Sequence, residues 1–175
     1  DTEGKTLEQL KGAVFLKDVY PKYRGNSLQL DTLEAETSIV DNYRELTVDS
    51  DLISGSINGN YNFIQLKNDL VTIANEFQLN IENDSEKLEA YYSKIDSSYA
   101  YANYGLLYNL NLKKVNPLLK LFLPALYVKP NSKISGSFKS GINSILNINA
   151  LTDSINYGGA AFKGNEIDIS ISQDH

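Results

Sequence analysis

The 175-residue sequence predicts a mainly β protein: an antiparallel sheet with one apolar and one polar face, and helices inserted between some of its strands. Apolar and polar residues alternate along several separate runs, which is the period of a half-buried strand. Two other stretches instead repeat their apolar residues at helical spacing. Nineteen asparagines suit turns and the polar face of a sheet better than long exposed helices.

The first strand is predicted from Leu10 to Val19, and Tyr20-Pro21 ends it. Leu28 and Leu30 open the next strand. Its apolar frame then slips by one residue before Leu33. Such a slip indicates a β-bulge or a bend.

A further strand begins with Leu46 and Val48, after a turn at Asp41-Asn42. The frame slips again near Asp51, and the alternation continues through Ile57 and Tyr61. This second slip predicts either a tight turn or a second bulge.

The period changes after Phe63. From Leu66 to Phe77 apolar residues recur at steps of four, three and four, which predicts a helix over 64–79. Asn83 to Glu86 resembles a capping box, so a second amphipathic helix is predicted over 84–96.

The segment from Leu106 to Asn149 has the strongest pattern in the chain. Alternation is regular at Leu106, Tyr108, Leu110 and Leu112, with polar residues between them. It resumes at Ile134 and Phe138, and again at Leu146 and Ile148. A last pair of strands, with glycine-rich turns, is predicted between 155 and 172.

A short apolar helix interrupts this segment near 117–123. Asn116 before Pro117 is predicted to cap its beginning, and Pro124 ends it. Leu118, Leu119 and Phe122 leave the helix too apolar to lie on an exposed surface. We therefore expect these three residues to plug an apolar groove or to pack in a core.

An internal repeat indicates how the chain is organised. The string ISGS begins at Ile53 and again at Ile134, and a large apolar residue follows it each time. The two strings divide the chain into two similar units, 10–82 and 98–172. A strand pattern still runs at Ile167, Ile169 and Ile171, so 1–175 is interpreted as one segment of a larger β protein.

Composition argues against several classes of function. The net charge of −6 disfavours general nucleic-acid binding, and no apolar run is long enough to span a membrane. The chain has no cysteine, its one histidine is the terminal His175, and Asp49 and Asp51 lack the other ligands of a calcium loop. We expect no catalytic residue, no metal and no cofactor.

Two stretches resemble the TamB proteins of Bacteroidetes-type Gram-negative bacteria, within the AsmA-like group. They are ISGSINGNYNF from Ile53 and LNLKKVNPLLKLFLPALYVKPNSKISGSF from Leu110, and the resemblance extends over 12–172. It implies a segment of an elongated β protein, with a variable helical insertion at 83–97. It implies a periplasmic protein held in the inner membrane by an anchor outside this segment. Such proteins pair with an outer-membrane barrel of the TamA type and take part in phospholipid movement and outer-membrane protein assembly.

The resemblance also implies that the sheet is rolled into an open apolar trough, a β-taco, in which phospholipid acyl chains lie. The residues expected to line it are Leu28, Leu30, Leu46, Val48, Ile57, Tyr61, Leu106, Tyr108, Leu110, Leu112, Ile134, Phe138, Leu146 and Ile148. An open apolar lining needs acyl chains to cover it.

Two alternatives to lipid conduction stay open at this point. The sheet edges could template strands of outer-membrane barrels, which would make the protein a scaffold for barrel assembly or secretion. Alternatively, the helices could seal the apolar face and leave a closed globular core.

Overall fold

A computed structural model describes residues 2–3, 9, 11–23, 26–82, 85–93, 103–141 and 143–174. The strands in this part of the chain are β1 (Thr2–Glu3), β2 (Lys11–Val19), β3 (Lys22–Tyr23), β4 (Asn26–Ser27), β5 (Leu30–Val40), β6 (Tyr43–Ser50), β7 (Ile53–Gly59), β8 (Tyr104–Leu112), β9 (Leu126–Val128), β10 (Ser132–Ser140), β11 (Asn143–Tyr157) and β12 (Ala160–Asp174). The helices are α1 (Phe63–Glu82), α2 (Ser85–Tyr92) and α3 (Asn116–Phe122).

Ten of these strands form one open antiparallel sheet. Its order is β1-β2-β5-β6-β7-β8-β10-β11-β12, and β9 pairs with the far end of β11. The pair β3-β4 is separate. The predictions of a mainly β, antiparallel, open sheet, of helices within 64–96 and of a short helix near 117–123 are confirmed. The two repeat units stay a prediction, and part of the insertion between them lies outside the described residues.

Tight turns join neighbouring strands. Asp41 and Asn42 have φ angles of 50° and 65°, as a two-residue type I′ hairpin requires. Between β6 and β7, the Ser50 hydroxyl accepts a hydrogen bond from the amide of Ile53 at 3.1 Å and donates one to the carbonyl of Ile53 at 2.9 Å. The second frame slip is therefore a tight turn.

The first frame slip is a bend in β5. Asp31 and Thr32 are both exposed, which breaks the alternation of burial along the strand. Opposite them, Asp18 of β2 has a φ of 51°. The pairs 17–32 and 19–30 enclose one residue on each strand, so no residue is inserted.

An inserted residue does occur between β9 and β10. Lys133 pairs with Leu151, whereas Val128 pairs with Ile155, so five steps along one chain match four along the other. Asn131 has a φ of 66° in this interval. The strands β9 and β10 therefore behave as one strand broken by a bulge.

The predicted cap of α3 is wrong. Val115 occupies the N-cap position and no side chain caps the helix. The Asn116 amide instead joins α3 to β9: its Nδ2 donates to the carbonyl of Val128 at 2.8 Å, and its Oδ1 accepts from the Val128 amide at 2.9 Å. The partner twelve residues away competes with the local cap and satisfies both sides of the amide.

This arrangement predicts that Asn116→Asp destabilises the protein by about 1 to 3 kcal/mol, because aspartate cannot donate to the Val128 carbonyl. Asn109→Asp, on an exposed residue of β8, serves as the matched control. Urea denaturation of both variants measures the difference. If Asn116 were a helix cap, aspartate would serve equally well and Asn116→Asp would unfold at the wild-type midpoint.

Candidate functional site

The strand register collects apolar side chains on one side of the sheet, because directly paired residues point to the same face. A central row crosses eight strands: Val14, Ala35, Val48, Gly55, Leu110, Ile134, Ala150 and Ile167. On one side of it runs a second row: Leu46, Ile57, Tyr108, Gly136, Ile148 and Ile169. A third row beyond that contains Gly59, Leu106, Phe138, Leu146 and Ile171. We call these three rows the apolar face.

The opposite side of the sheet is polar. One of its rows contains no apolar residue over seven strands: Glu36, Thr47, Ser56, Asn109, Ser135, Asn149 and Asp168. Side chains on this side hydrogen-bond across strands, as where Asn149 Nδ2 donates to Asp168 at 2.6 Å and Ser170 donates to Asn147 at 2.9 Å. The sheet is therefore amphipathic, with one wet face.

Helix α1 covers one end of the apolar face. Five buried residues form a cluster there: Tyr61, Ile73, Tyr104, Leu106 and Phe138. The rings of Tyr104 and Phe138 meet edge to face at 5.7 Å, and the Tyr104 hydroxyl donates to Asp69 of α1 at 2.7 Å. Helix α1 therefore covers this end of the face, although residues at its margin, such as Leu146 and Ile171, are only half-buried.

Helix α3 covers the other end. Leu118 and Leu119 pack against the buried residues Leu112, Val115 and Val128. This contact agrees with a helix placed over the apolar face. The side chain of Phe122, the third predicted plug residue, lies outside the described residues.

Between the two covered ends, part of the apolar face belongs to neither cluster. We call this part the central strip: Leu46, Val48, Leu110, Ile148, Ala150, Ile167 and Ile169. The first six are half-buried, and Ile169 is 38% exposed. Phe138, under α1, is 1% exposed. The central strip is therefore a partly exposed region of the apolar face that belongs to neither cluster.

The structure brings together most of the predicted lining residues. Eleven of the fourteen lie on the apolar face or its continuation at Leu112. Of the other three, Leu28 is buried before β5, Leu30 is half-buried at the start of β5, and Tyr61 belongs to the α1 cluster. Leu28, Tyr61, Leu106, Leu112 and Phe138 are buried and leave no surface for a ligand. The accessible lining is thus narrower than the sequence pattern indicates.

Sequence reasoning missed Arg44. This side chain is only 3% exposed, and its guanidinium lies 4.4 Å from the centre of the Phe63 ring and 5.9 Å from that of Tyr61. Its Nη1 donates to the Thr37 hydroxyl at 3.4 Å. Arg44 lies two residues before Leu46 on β6, so the alternation could have predicted that both side chains point to the apolar face.

Tyr108 and Gly136 fit together in the second row. The Tyr108 hydroxyl donates to the carbonyl of Asn147 at 2.7 Å, so the side chain reaches across β10 to β11. A Cβ added to Gly136 would lie 2.0 Å from that carbonyl oxygen and 2.6 Å from the Tyr108 hydroxyl. Glycine is therefore required for Tyr108 to lie across β10. Burial raises the pKa of the Tyr108 phenol.

Asp49 and Asp51 are the two carboxylates that the sequence offered as candidate calcium ligands. Among the described residues, no three His, Cys, Asp or Glu side chains are close enough together to hold a metal ion. Asp49 forms an ion pair with Lys113, and Asp51 accepts a hydrogen bond from the Asp31 amide at 3.2 Å. Both carboxylates therefore contact neighbouring parts of the sheet. His175 lies outside the described residues.

None of the helices in the described ranges is both long enough and apolar enough to cross a membrane. Comparison of the chain with protein-family models, curated proteins and solved structures gives no match.

The fit at Gly136 predicts that Gly136→Ala destabilises the protein by about 1 to 3 kcal/mol, since the new methyl group forces Tyr108 or β11 to move. The control is Gly141→Ala, where the nearest atom would be 4.0 Å from the added Cβ. Denaturant midpoints of the two variants give the comparison. Equal midpoints would show that Tyr108 does not lie against Gly136.

The raised pKa of Tyr108 gives a pH prediction. An unfolded tyrosine ionises near pH 10, and the folded state holds the Tyr108 proton to a higher pH. Its contribution to stability is therefore complete below pH 10 and is lost as the pH rises above it. The phenolate absorbance of wild type minus that of Tyr108→Phe should rise above pH 10 in buffer, and near pH 10 in denaturant. Coincident curves would contradict burial of this hydroxyl.

Proposed function

We propose that this chain is a segment of a periplasmic protein that conducts phospholipid between the inner and outer membranes along its apolar face. In this proposal the full protein is anchored in the inner membrane outside this segment and contacts an outer-membrane barrel of the TamA type. It acts by binding and passing on acyl chains, without catalysis or a cofactor. The resemblance to TamB proteins supports this function.

One observation carries the proposal: the apolar side chains of the central strip belong to neither helix cluster and are partly exposed. They lie on β6, β8, β11 and β12, and the five strand spacings from β6 to β12 extend over roughly 24 Å. The hydrocarbon core of a bilayer is about 30 Å thick, so one acyl chain needs about half of that length. The strip is therefore long enough for one acyl chain that lies across the strands.

The energetics favour passage over tight binding. Each methylene moved from water onto the apolar face contributes about 0.8 kcal/mol. A lipid that arrives from a bilayer has already left water, so its transfer onto the face is close to neutral. The central strip is uncharged, which fits acyl chains and demands no particular headgroup.

The proposal predicts that lipid reaches the two faces unequally. The chain has no cysteine, so single cysteines can be labelled at neighbouring positions of β8 that face opposite sides: Leu110→Cys in the central strip and Asn109→Cys on the polar face. A polarity-sensitive fluorophore at 110 should shift to the blue when phospholipid is added, and one at 109 should not. Equal shifts at both positions, or none at 110, would contradict the proposal.

A charge in the strip extends this test. Native mass spectrometry of the purified wild-type chain should detect bound phospholipid; Leu110→Asp should abolish this binding, and Asn109→Asp should retain it. Circular dichroism establishes that both variants are folded.

A second function is favoured by the edge of the sheet. Strand β12 is fifteen residues long and pairs along one side with β11, so its other side can accept a further strand. This supports the scaffold alternative, in which β12 templates strands of outer-membrane barrels. Capture of unfolded barrel protein by a chain that carries no lipid would favour this alternative over conduction.

A further inference from the structure

Two loops meet at one end of the sheet. The turn Gly158-Gly159 joins β11 to β12, and the connection from α3 to β9 lies beside it. The Gly158 amide donates to the carbonyl of Ala125 at 3.2 Å, and Leu126 of β9 pairs with Tyr157 of β11. We call this end of the molecule, residues 123–127 and 157–162, the tip.

The tip exposes a cluster of large apolar side chains. Their exposed fractions are 51% for Leu123, 44% for Tyr127, 60% for Tyr157 and 53% for Phe162. By register, Tyr157 and Phe162 share one face of the β11-β12 hairpin, whereas Tyr127 lies on the other face. The tip thus presents apolar side chains on both faces.

The remaining tip residues are small or apolar, and no charged residue interrupts them between 121 and 128 or between 154 and 162. Tyrosine is enriched where a membrane meets water, because its ring is apolar and its hydroxyl is polar. The composition of the tip therefore suits insertion into the headgroup region of a bilayer.

The part of the sequence that contains the tip is basic: residues 97–163 contain seven lysines and one acidic residue, a net charge of +6, and the rest of the chain carries −12. These lysines are not all near the tip, since Lys139 pairs with Ile145, twelve residues along β11 from Tyr157. Lys120 of α3 and Lys163, which follows Phe162, are exposed and flank the tip. The single acid, Asp153, forms an ion pair with Lys129 at 2.8 Å.

We propose that the tip docks onto a bilayer surface that contains anionic phospholipid. Leu123, Tyr127, Tyr157 and Phe162 enter the headgroup region, and the exposed lysines contact the anionic headgroups around them. Apolar burial and charge attraction add, as they do for other proteins that bind in the interface. Docking needs no lipid on the central strip, so it goes beyond the proposed conduction. A failure of docking and a failure of lipid conduction can therefore be distinguished.

Vesicle flotation tests the docking with phosphatidylcholine vesicles that contain or lack phosphatidylglycerol. Wild-type protein should float with the anionic vesicles and less with the neutral ones, and added salt should weaken its binding. Equimolar inorganic phosphate should not compete, since free phosphate offers no apolar layer. Equal binding to both vesicle types, no binding to either, or competition by phosphate would overturn the proposal.

The apolar contribution has a matched control in the β5-β6 hairpin. Val40 and Tyr43 flank its two-residue turn and are 67% and 45% exposed, but they lie in the acidic part of the chain. The double variant Tyr157→Ser/Phe162→Ser should lose at least tenfold in vesicle affinity, and Val40→Ser/Tyr43→Ser should retain it. All four residues are exposed, so neither pair of substitutions removes a core side chain.

The charge contribution has its own control. Each lysine near an anionic surface raises the partition coefficient roughly fivefold, so Lys120→Glu/Lys163→Glu should lose more than tenfold. Lys11→Glu/Lys17→Glu alters two exposed lysines of β2 by the same charge and should retain binding. Equal losses from the tip and control pairs would show that overall charge, and not the tip, directs the protein to the vesicle.

Discussion

The relative register of β7, β8, β10 and β11 is the constraint on which the rest of this structure depends. Side chains alternate with a period of two, so a shift of one residue between any two strands would turn one set of leucines and isoleucines toward the polar side. Tyr108 opposes such a shift, because its side chain extends across β10 and its hydroxyl reaches the carbonyl of Asn147 on β11. Gly136 leaves the space that this reach needs. One side chain therefore links three neighbouring strands.

A single sheet also exposes its apolar face to water unless other elements cover it. Two packed layers would bury that face completely, but here α1 and α3 cover only its ends. Each of these two helices brings its own apolar residues to one cluster. Most of the central strip between them is half-buried. A partly exposed apolar surface suits a ligand that binds and leaves. A complete seal would stabilise the isolated chain but would leave no place for an acyl chain.

Local patterns in the sequence predict the sheet well because alternation is a local property. The longer strands, the positions of the two frame slips and all three helices follow from residues within a few positions of one another, although the pattern did not decide between a bulge and a bend or a turn at either slip. The cap at Asn116 could not be predicted in this way, because Val128, twelve residues away, takes both hydrogen bonds of its side chain. The bulge before β10 likewise depends on where β9 meets β11, a pairing that local patterns do not contain.

In the candidate site, too, local patterns predicted some features, and others depend on contacts between distant parts of the chain. Alternation predicted which side chains share a face, since register preserves the period of two. It could not predict which of them the helices would bury, and Leu106, Leu112 and Phe138 are therefore lost to any ligand. The net charge of −6 also concealed the basic range 97–163 that contains the tip, because a sum over the whole chain cancels +6 in that range against −12 elsewhere.

This separation of charge has a consequence for orientation. A protein with uniform charge would approach an anionic surface in no preferred direction, and one of net charge −6 would be repelled. In the proposed docking, an anionic surface would attract Lys120 and Lys163, which flank the tip, and would repel exposed acidic residues such as Glu34 and Glu36 of β5, so that the tip would turn toward the membrane. Helix α3 connects the tip to the covered end of the apolar face. A docked tip would therefore hold the sheet with its α3 end nearest the bilayer, so that lipid entering the central strip must first pass α3.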